Sequence, residues 1–282
     1  MKTWMTGAAV AASLLLAVPA ATAETPLERG RYLMNSVVAC GNCHTPQTPA
    51  GPVPGKELAG GTPFQDAAFT AYAANITPDP ETGIGRWTDE QIIAAIREGR
   101  RPDGSLIGPP MPVQFYRDMS DSDVKALVAY MRTVPPVKNA VPKSEYRMPL
   151  PASWGLPVGS VPDVPRTDKL AYGAYLTGPL GHCQDCHTPR LPDGRLEMAK
   201  PGAGGQAFPG PWGVSVSRNI TSSGKAGLGQ WTDAQIKRAI TDGVRADGTR
   251  LAPPMAFHWY RNIAADDLDA IVAHLRTLPP QE

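Results

Sequence analysis

Apolar residues recur at helical spacing in two pairs of segments. Ile92, Ile93 and Ile96 form one short stripe, and Ile236, Ala239 and Ile240 form its counterpart in the second half of the chain. Each stripe begins at a capping box, Thr88-Asp89-Glu90-Gln91 and Thr232 with Gln235, where the threonine accepts from first-turn amides and the glutamine reaches back. Each stops at a glycine, Gly99 or Gly243. A second pair, Val124, Leu127, Val128, Met131 and Leu268, Ile271, Val272, Leu275, reads as helices with one apolar face. Both of these end before Pro-Pro pairs that cannot continue a helix. No segment shows sustained strand alternation, so the pattern predicts an all-α fold with three or four short helices in each half.

The first residues follow a different logic. Lys2, an apolar run from Gly7 to Val18, and Pro19-Ala20-Ala21-Thr22-Ala23 describe a cleavable export signal, residues 1–23, cut after Ala23. The expected location is therefore the periplasm. No later stretch approaches the ~20 apolar residues that span a bilayer, so membrane association is expected only through a partner. With 27 basic and 26 acidic residues in 282, the chain lacks the charge excess of a nucleic-acid binder.

Self-similarity runs through both halves. Gly30-Arg31-Tyr32-Leu33 returns as Gly173-Ala174-Tyr175-Leu176, Asn75-Ile76-Thr77 as Asn219-Ile220-Thr221, and Pro109-Pro110-Met111 as Pro253-Pro254-Met255. Gly83-x-Gly85-x-Trp87 matches Gly227-x-Gly229-x-Trp231, and Arg101-Pro102-Asp103-Gly104 matches Arg245-Ala246-Asp247-Gly248. This predicts a duplicated domain, at residues 24–136 and 166–282. The join, 137–165, belongs to a stretch from 135 to 165 with eight prolines, which reads as a semi-rigid strap laid over both domains.

All four cysteines fall into two motifs, Cys40-Gly41-Asn42-Cys43-His44 and Cys183-Gln184-Asp185-Cys186-His187. C-x-x-C-H is the attachment pattern of c-type haem. Two thiols on one helical turn can each add to a vinyl group of one porphyrin, and the adjacent histidine then supplies the proximal nitrogen. Zinc would need a fourth ligand beside each motif, and a thioredoxin-like pair would not need the histidine. The expectation is two covalent haems, held by Cys40, Cys43, Cys183 and Cys186, with His44 and His187 on the iron.

The sixth ligand separates electron carriers from haem enzymes. His44 is the single histidine of the first half, so methionine is the natural distal ligand. Among Met111, Met119, Met131 and Met148, only Met111 has a methionine counterpart, Met255. The preceding Pro-Pro pairs hold an extended backbone there. His258, three residues past Met255, competes with it, and both methionines have the alternative of simply filling core. Trp87, Trp231, Arg101 and Arg245 are candidates for propionate contacts, with packing or turn roles as the alternative. Asn75 and Asn219 read as loop residues near the haem edge, and Tyr32 and Tyr175 as packing between first and last helices.

Taken in order, C-x-x-C-H, Asn-Ile-Thr, Gly-Ile-Gly-Arg-Trp-Thr-Asp, Pro-Pro-Met and Met-Ser-Asp-Ser-Asp-Val-Lys-Ala-Leu resemble the multihaem cytochrome c subunits of periplasm-facing dehydrogenases. The resemblance covers nearly all of residues 26–280. It implies two tandem class I cytochrome c domains joined by a Pro-rich connector, with Met111 and Met255 as distal ligands. It also implies a quinoprotein, flavoprotein or molybdenum dehydrogenase as electron donor, and a cytochrome, oxidase or quinone as acceptor. The rival expectation is a dihaem redox enzyme, peroxidase-like or thiosulfate-oxidising, with one open haem.

Overall fold

The computed structural model describes residues 1, 24–48 and 51–282. Apart from Met1, the predicted leader lies outside the described residues.

Helix α1 (Pro26–Asn35) opens on a capping box: Glu28 N donates to Thr25 Oγ1 at 3.2 Å, and the Glu28 carboxylate accepts from Thr25 N at 2.8 Å. A short turn α2 (Gly41–His44) carries the first cysteine motif. Two small antiparallel pairs follow, β1 (Gln47–Thr48) with β2 (Gly51–Pro52), and β3 (Pro63–Gln65) with β4 (Phe69–Tyr72). Helices α3 (Asp89–Arg97), α4 (Val113–Tyr116) and α5 (Asp121–Met131) complete the first half. The connector adds β5 (Glu145–Tyr146), which pairs with the free edge of β4. The second half repeats the order. It runs α6 (Lys169–Tyr175), a π-helical turn over Leu176–Leu180, α7 (Cys183–His187), the hairpin β6 (Ala207–Gly210) and β7 (Gly213–Val216), then α8 (Asp233–Asp242), α9 (Phe257–Tyr260) and α10 (Ala265–Leu275).

The helix signals read from the sequence are where they were expected. Thr88 and Thr232 make complete capping boxes with Gln91 and Gln235. Gly99 and Gly243 end α3 and α8 with φ of +62° and +64°. The stripes of α5 and α10 are buried. Gly30 and Gly173 let the first and last helices of each half touch: a Cβ there would sit 1.9 Å from Ala126 O or 2.0 Å from Ala270 O.

The all-α expectation, with two tandem class I domains, is corrected by the structure. Among the described residues helix makes up 31% and strand 10%, in several small sheets. The hairpins escaped notice because their strands are two to four residues long, too short for alternation to register, and the one strand that joins them from afar, β5, is only two residues long. Nor do the halves form separate cores. One apolar cluster joins Leu33, Met119 and Leu127 of the first half to Tyr175, Leu180 and Ile271 of the second. Helical periodicity reveals which face is apolar but not what covers it, and here the two halves cover one another.

Their contacts are reciprocal. Tyr32 Oη donates to Asp267 at 2.6 Å and accepts from Ala264 N at 3.1 Å. Tyr175 Oη donates to Asp123 at 2.8 Å and accepts from Ser120 N at 3.0 Å. These tyrosines are repeat equivalents, so they do more than pack between helices within their own half: each caps the last helix of the other. The connector lies mainly on the first half. Asn139 Nδ2 donates to Ala59 O, Trp154 Nε1 to Ile107 O and Asp121 N to Val161 O, at 2.8, 2.8 and 3.0 Å.

Candidate haem-attachment sites

In each half a single helical turn presents both thiols and the histidine. Cys40 is already helical as the N-cap of α2, so Cys40, Cys43 and His44 lie on one turn. Cys183, Cys186 and His187 do the same within α7. All four cysteines are free. Burial pushes the Cys40 and Cys186 thiols up to about 12 and those of Cys43 and Cys183 to about 11. These are protonated thiols in apolar surroundings, unlike the low-pKa cysteines of redox enzymes or thiolate metal sites.

The imidazoles are oriented by backbone. His44 Nδ1 lies 2.7 Å from Ala74 O, and His187 Nδ1 lies 2.6 Å from Arg218 O. A carbonyl only accepts, so Nδ1 carries the proton and the Nε2 lone pair is left free to bind a metal. Burial lowers both imidazoles from the ordinary histidine value, against the opposing effect of the carbonyl bond, which keeps them neutral. The accepting carbonyls are in turn held by their loops. Asn75 Oδ1 accepts from Thr77 N at 3.0 Å while its Nδ2 donates to Val137 O at 2.7 Å. Asn219 makes the same bonds to Thr221 N and Gln281 O, at 2.9 and 2.7 Å. The repeated Asn-Ile-Thr thus pins the peptide that aims the histidine. Sequence reading found the asparagines but missed the carbonyls before them, because backbone groups leave no mark in residue identity.

The distal candidates separate by environment. Met119 and Met131 are buried in the shared core, 0% and 3% exposed, and Met148 is exposed on the connector. Met111 and Met255 are half-buried at the ends of the Pro-Pro segments, and Met111 packs at the margin of the core. His258 is exposed, edge-on to Trp259 at 5.0 Å. His182 lies edge-on to Tyr116 at 5.7 Å, and His274 sits on α10. Trp87 and Trp231 pack against the core, and their carbonyls accept from Arg132 and Arg276. Arg101 bonds within its own turn, to Leu106 O at 2.7 Å. Arg245 instead keeps a buried Nε without a protein partner, which suits an anion such as a propionate.

The structure also brings the two attachment turns together. Asn42, between the first pair of cysteines, donates to Pro254 O beside Met255 at 3.1 Å. Gln114, just past Met111, donates to Asp185 between the second pair at 3.2 Å. The Trp259 indole lies on Gly41, where a Cβ would be 2.7 Å from Nε1. Each attachment turn is therefore braced by the segment that flanks the other half's methionine. Tyr116 and Tyr260 fill this junction, and burial raises both hydroxyls well above the usual value, with Cys43 within electrostatic reach of each. No sequence signal announced this crossing.

Paired neutral thiols on one turn, an imidazole with one nitrogen committed to a carbonyl, and an unpartnered buried guanidinium nitrogen fit a covalently attached haem. Among the described residues no group of three or more His, Cys, Asp and Glu side chains could hold a metal ion as a cage. The site therefore defines a c-type haem protein.

Comparison with known proteins agrees. The family described as cytochrome c oxidase, cbb3-type, subunit III matches residues 25–131. A dihaem c-type cytochrome of Cereibacter sphaeroides is 30% identical over 254 residues, covering 86% of this chain and 83% of the relative. The fructose dehydrogenase cytochrome subunit of Gluconobacter japonicus is 32% identical over 280 residues, 93% of this chain and 54% of the relative. The cytochrome c subunit of the quinone alcohol dehydrogenase of Gluconobacter oxydans is 33% identical over 277 residues, 91% and 55%. The chain spans about half the length of these two dehydrogenase subunits. It belongs to the cytochrome c family, whose cofactor is covalently bound haem c.

Proposed function

We propose that this chain is an exported, periplasmic dihaem cytochrome that accepts single electrons from a dehydrogenase and passes them to a further carrier or an oxidase. The observation that carries this reading is the twice-repeated imidazole geometry, Nδ1 held at 2.7 and 2.6 Å by a backbone carbonyl beside a buried cysteine pair. The similarity to dehydrogenase cytochrome subunits supports the class of donor.

Cys40, Cys43, Cys183 and Cys186 form the thioether bonds in this reading, and His44 and His187 bind iron through Nε2. Met111 and Met255 would supply the second protein ligand to each iron, since the competing methionines Met119 and Met131 are consumed by the core and Met148 is carried on the connector. The exposed His258 ring favours Met255 in the second half. Haem iron supplies a one-electron couple, and histidine–methionine ligation sets it at a higher potential than two histidines would. The protein holds both ligands in place in either oxidation state and excludes water. With formal charge +1, exchange with a partner depends only modestly on salt.

The test is to mature the chain with haem, count haems per chain by absorbance, and record the oxidised spectrum. Two low-spin haems are expected, each with a methionine-to-iron charge-transfer band, one band disappearing in Met111→Ala and the other in Met255→Ala. A high-spin signal, or ready carbon monoxide binding by the unsubstituted reduced protein, overturns the reading. Co-purification from the native host then identifies the dehydrogenase that reduces it.

A further inference from the structure

The duplication makes each half a control for the other, and at the attachment turns the halves differ in charge. Asn42, before Cys43, corresponds to Asp185, before Cys186, and Gln47 corresponds to Arg190. The neutral residues bond to backbone: Asn42 Nδ2 donates to Pro254 O and Gln47 Nε2 to Thr45 O, both at 3.1 Å. The charged residues are joined to each other, with Arg190 Nη2 donating to Asp185 Oδ1 at 2.8 Å. Gln114, from the segment past Met111, donates to the same oxygen at 3.2 Å. Gln206 steadies the pair, accepting from Arg190 Nε at 3.0 Å while its Nε2 donates to Asp185 O at 2.7 Å.

An ion pair adds no net charge, so its effect depends on which end is the drier. The Asp185 side chain is 13% exposed and that of Arg190 is 40% exposed. Water therefore screens the guanidinium more than the carboxylate. Of these two charges the carboxylate acts the more strongly on the Cys186 thiol, and it reaches Tyr116 and His182 as well. Cys43, at the same place in the first half, is shifted by burial alone. Arg101 and Arg245 are counterparts of equal charge, and Arg218, which replaces Ala74, is exposed. The turn bearing Cys183 and Cys186 thus sits in a more negative field than the turn bearing Cys40 and Cys43.

We propose that Asp185 sets the order of the two haem potentials, making the second half the low-potential site and the first the place where a single electron comes to rest. Ferric iron carries one more positive charge than ferrous iron, so a nearby carboxylate favours the ferric form. Burial and the polar groups around a haem are among a protein's means of setting its potential. Duplicated ligands alone would give two similar couples, and the unequal residue between the cysteines separates them. Asp185 touches no iron in this scheme and acts through its field. The assignment rests on the function proposed above, since it needs a haem in each half.

The experiment is a spectroelectrochemical titration of the haem-loaded full chain and its variants. The unsubstituted chain should show two one-electron waves. Asp185→Asn should raise the lower wave, so that at its original midpoint the ratio of ferrous to ferric haem increases roughly three- to tenfold. Asp185→Glu should restore the original value. Arg190→Gln should move the same wave down, because it removes the opposing charge, whereas a merely structural loss of the pair would shift both variants the same way. Asn42→Asp should lower the upper wave and leave the other in place. These last two variants test the assignment even if the Asp185 substitutions fail to fold. Coincident waves in the unsubstituted chain, an unmoved lower wave in Asp185→Asn, or shifts of equal sign in Asp185→Asn and Arg190→Gln would overturn it. Any of these results with two low-spin haems per chain rejects the tuning and leaves the electron carrier. Fewer than two haems per chain, or a high-spin spectrum, rejects the function and this assignment with it.

Discussion

His44 and His187 show how little sequence is needed to aim an imidazole and how much backbone. The aim depends on a close approach that only glycine permits. Gly60, at φ +73°, donates its N–H to His44 O at 2.7 Å, and a Cβ there would stand 2.4 Å from the Ala74 carbonyl carbon. Gly60→Ala must therefore move the group that accepts from His44 Nδ1. We expect a loss of about 2–4 kcal/mol, combining the left-handed backbone and the overpacking penalties, read from the denaturant midpoint of the haem-loaded protein. Gly104→Ala provides the comparison, since Gly104 has φ +82° but open space around its absent Cβ. It should lose only about 1–2 kcal/mol. Equal losses would mean that the contact with Ala74 is unimportant.

Among the elements, α5 is held at its first turn by α3 and by the connector. Arg97 of α3 donates to Asp121 at 2.7 Å, and Ser160 Oγ and Val161 N of the connector donate at 2.8 and 3.3 Å. The Arg97 bond foremost, then those from Ser160 and Val161, holds the Asp121 carboxyl at about 2. A carboxyl depressed in the folded state stabilises fully above its unfolded pKa and progressively less below it. The denaturant midpoint should accordingly fall as pH drops from about 4 to about 2, and Asp121→Asn should flatten that part of the curve. An unchanged slope in the variant would assign acid sensitivity to other carboxylates. The same bonds explain why the connector follows α5: its prolines stiffen it, but the helix end chooses its course.

The whole molecule is organised by reciprocal contacts whose surroundings are unequal. Asp123 accepts from Tyr175 and also from Arg29 Nε and Nη2 at 2.7 and 2.9 Å, whereas Asp267 accepts from Tyr32. Both carboxylates are 5% exposed. Removing the Tyr32 hydroxyl takes a partner from a buried carboxylate that has no arginine, while Asp123 keeps its bidentate one. Tyr32→Phe should therefore destabilise by about 2–3 kcal/mol and Tyr175→Phe by about 1 kcal/mol, measured by equilibrium unfolding of the loaded protein. The reverse order would contradict this account of the interface. The contacts also make each attachment turn depend on the opposite half, so neither half buries its own apolar faces alone.

Much of the chemistry was legible in the chain because it is local. Two thiols and a histidine on one turn, a threonine three residues before a glutamine, and a glycine after an apolar stripe all act within a few residues of one another. The duplication was equally plain, since matching words at matching spacing require no knowledge of the fold. The short strands, the carbonyls at Ala74 and Arg218, and the bond from Asn42 to Pro254 were not legible. Each joins groups far apart in the chain or groups with no side-chain identity. Periodicity specified an apolar face for α3, α5, α8 and α10, and only packing decided that the two halves would share a core. Likewise the composition of the connector specified a stiff extended segment, and only the tertiary structure decided that it would pair with β4.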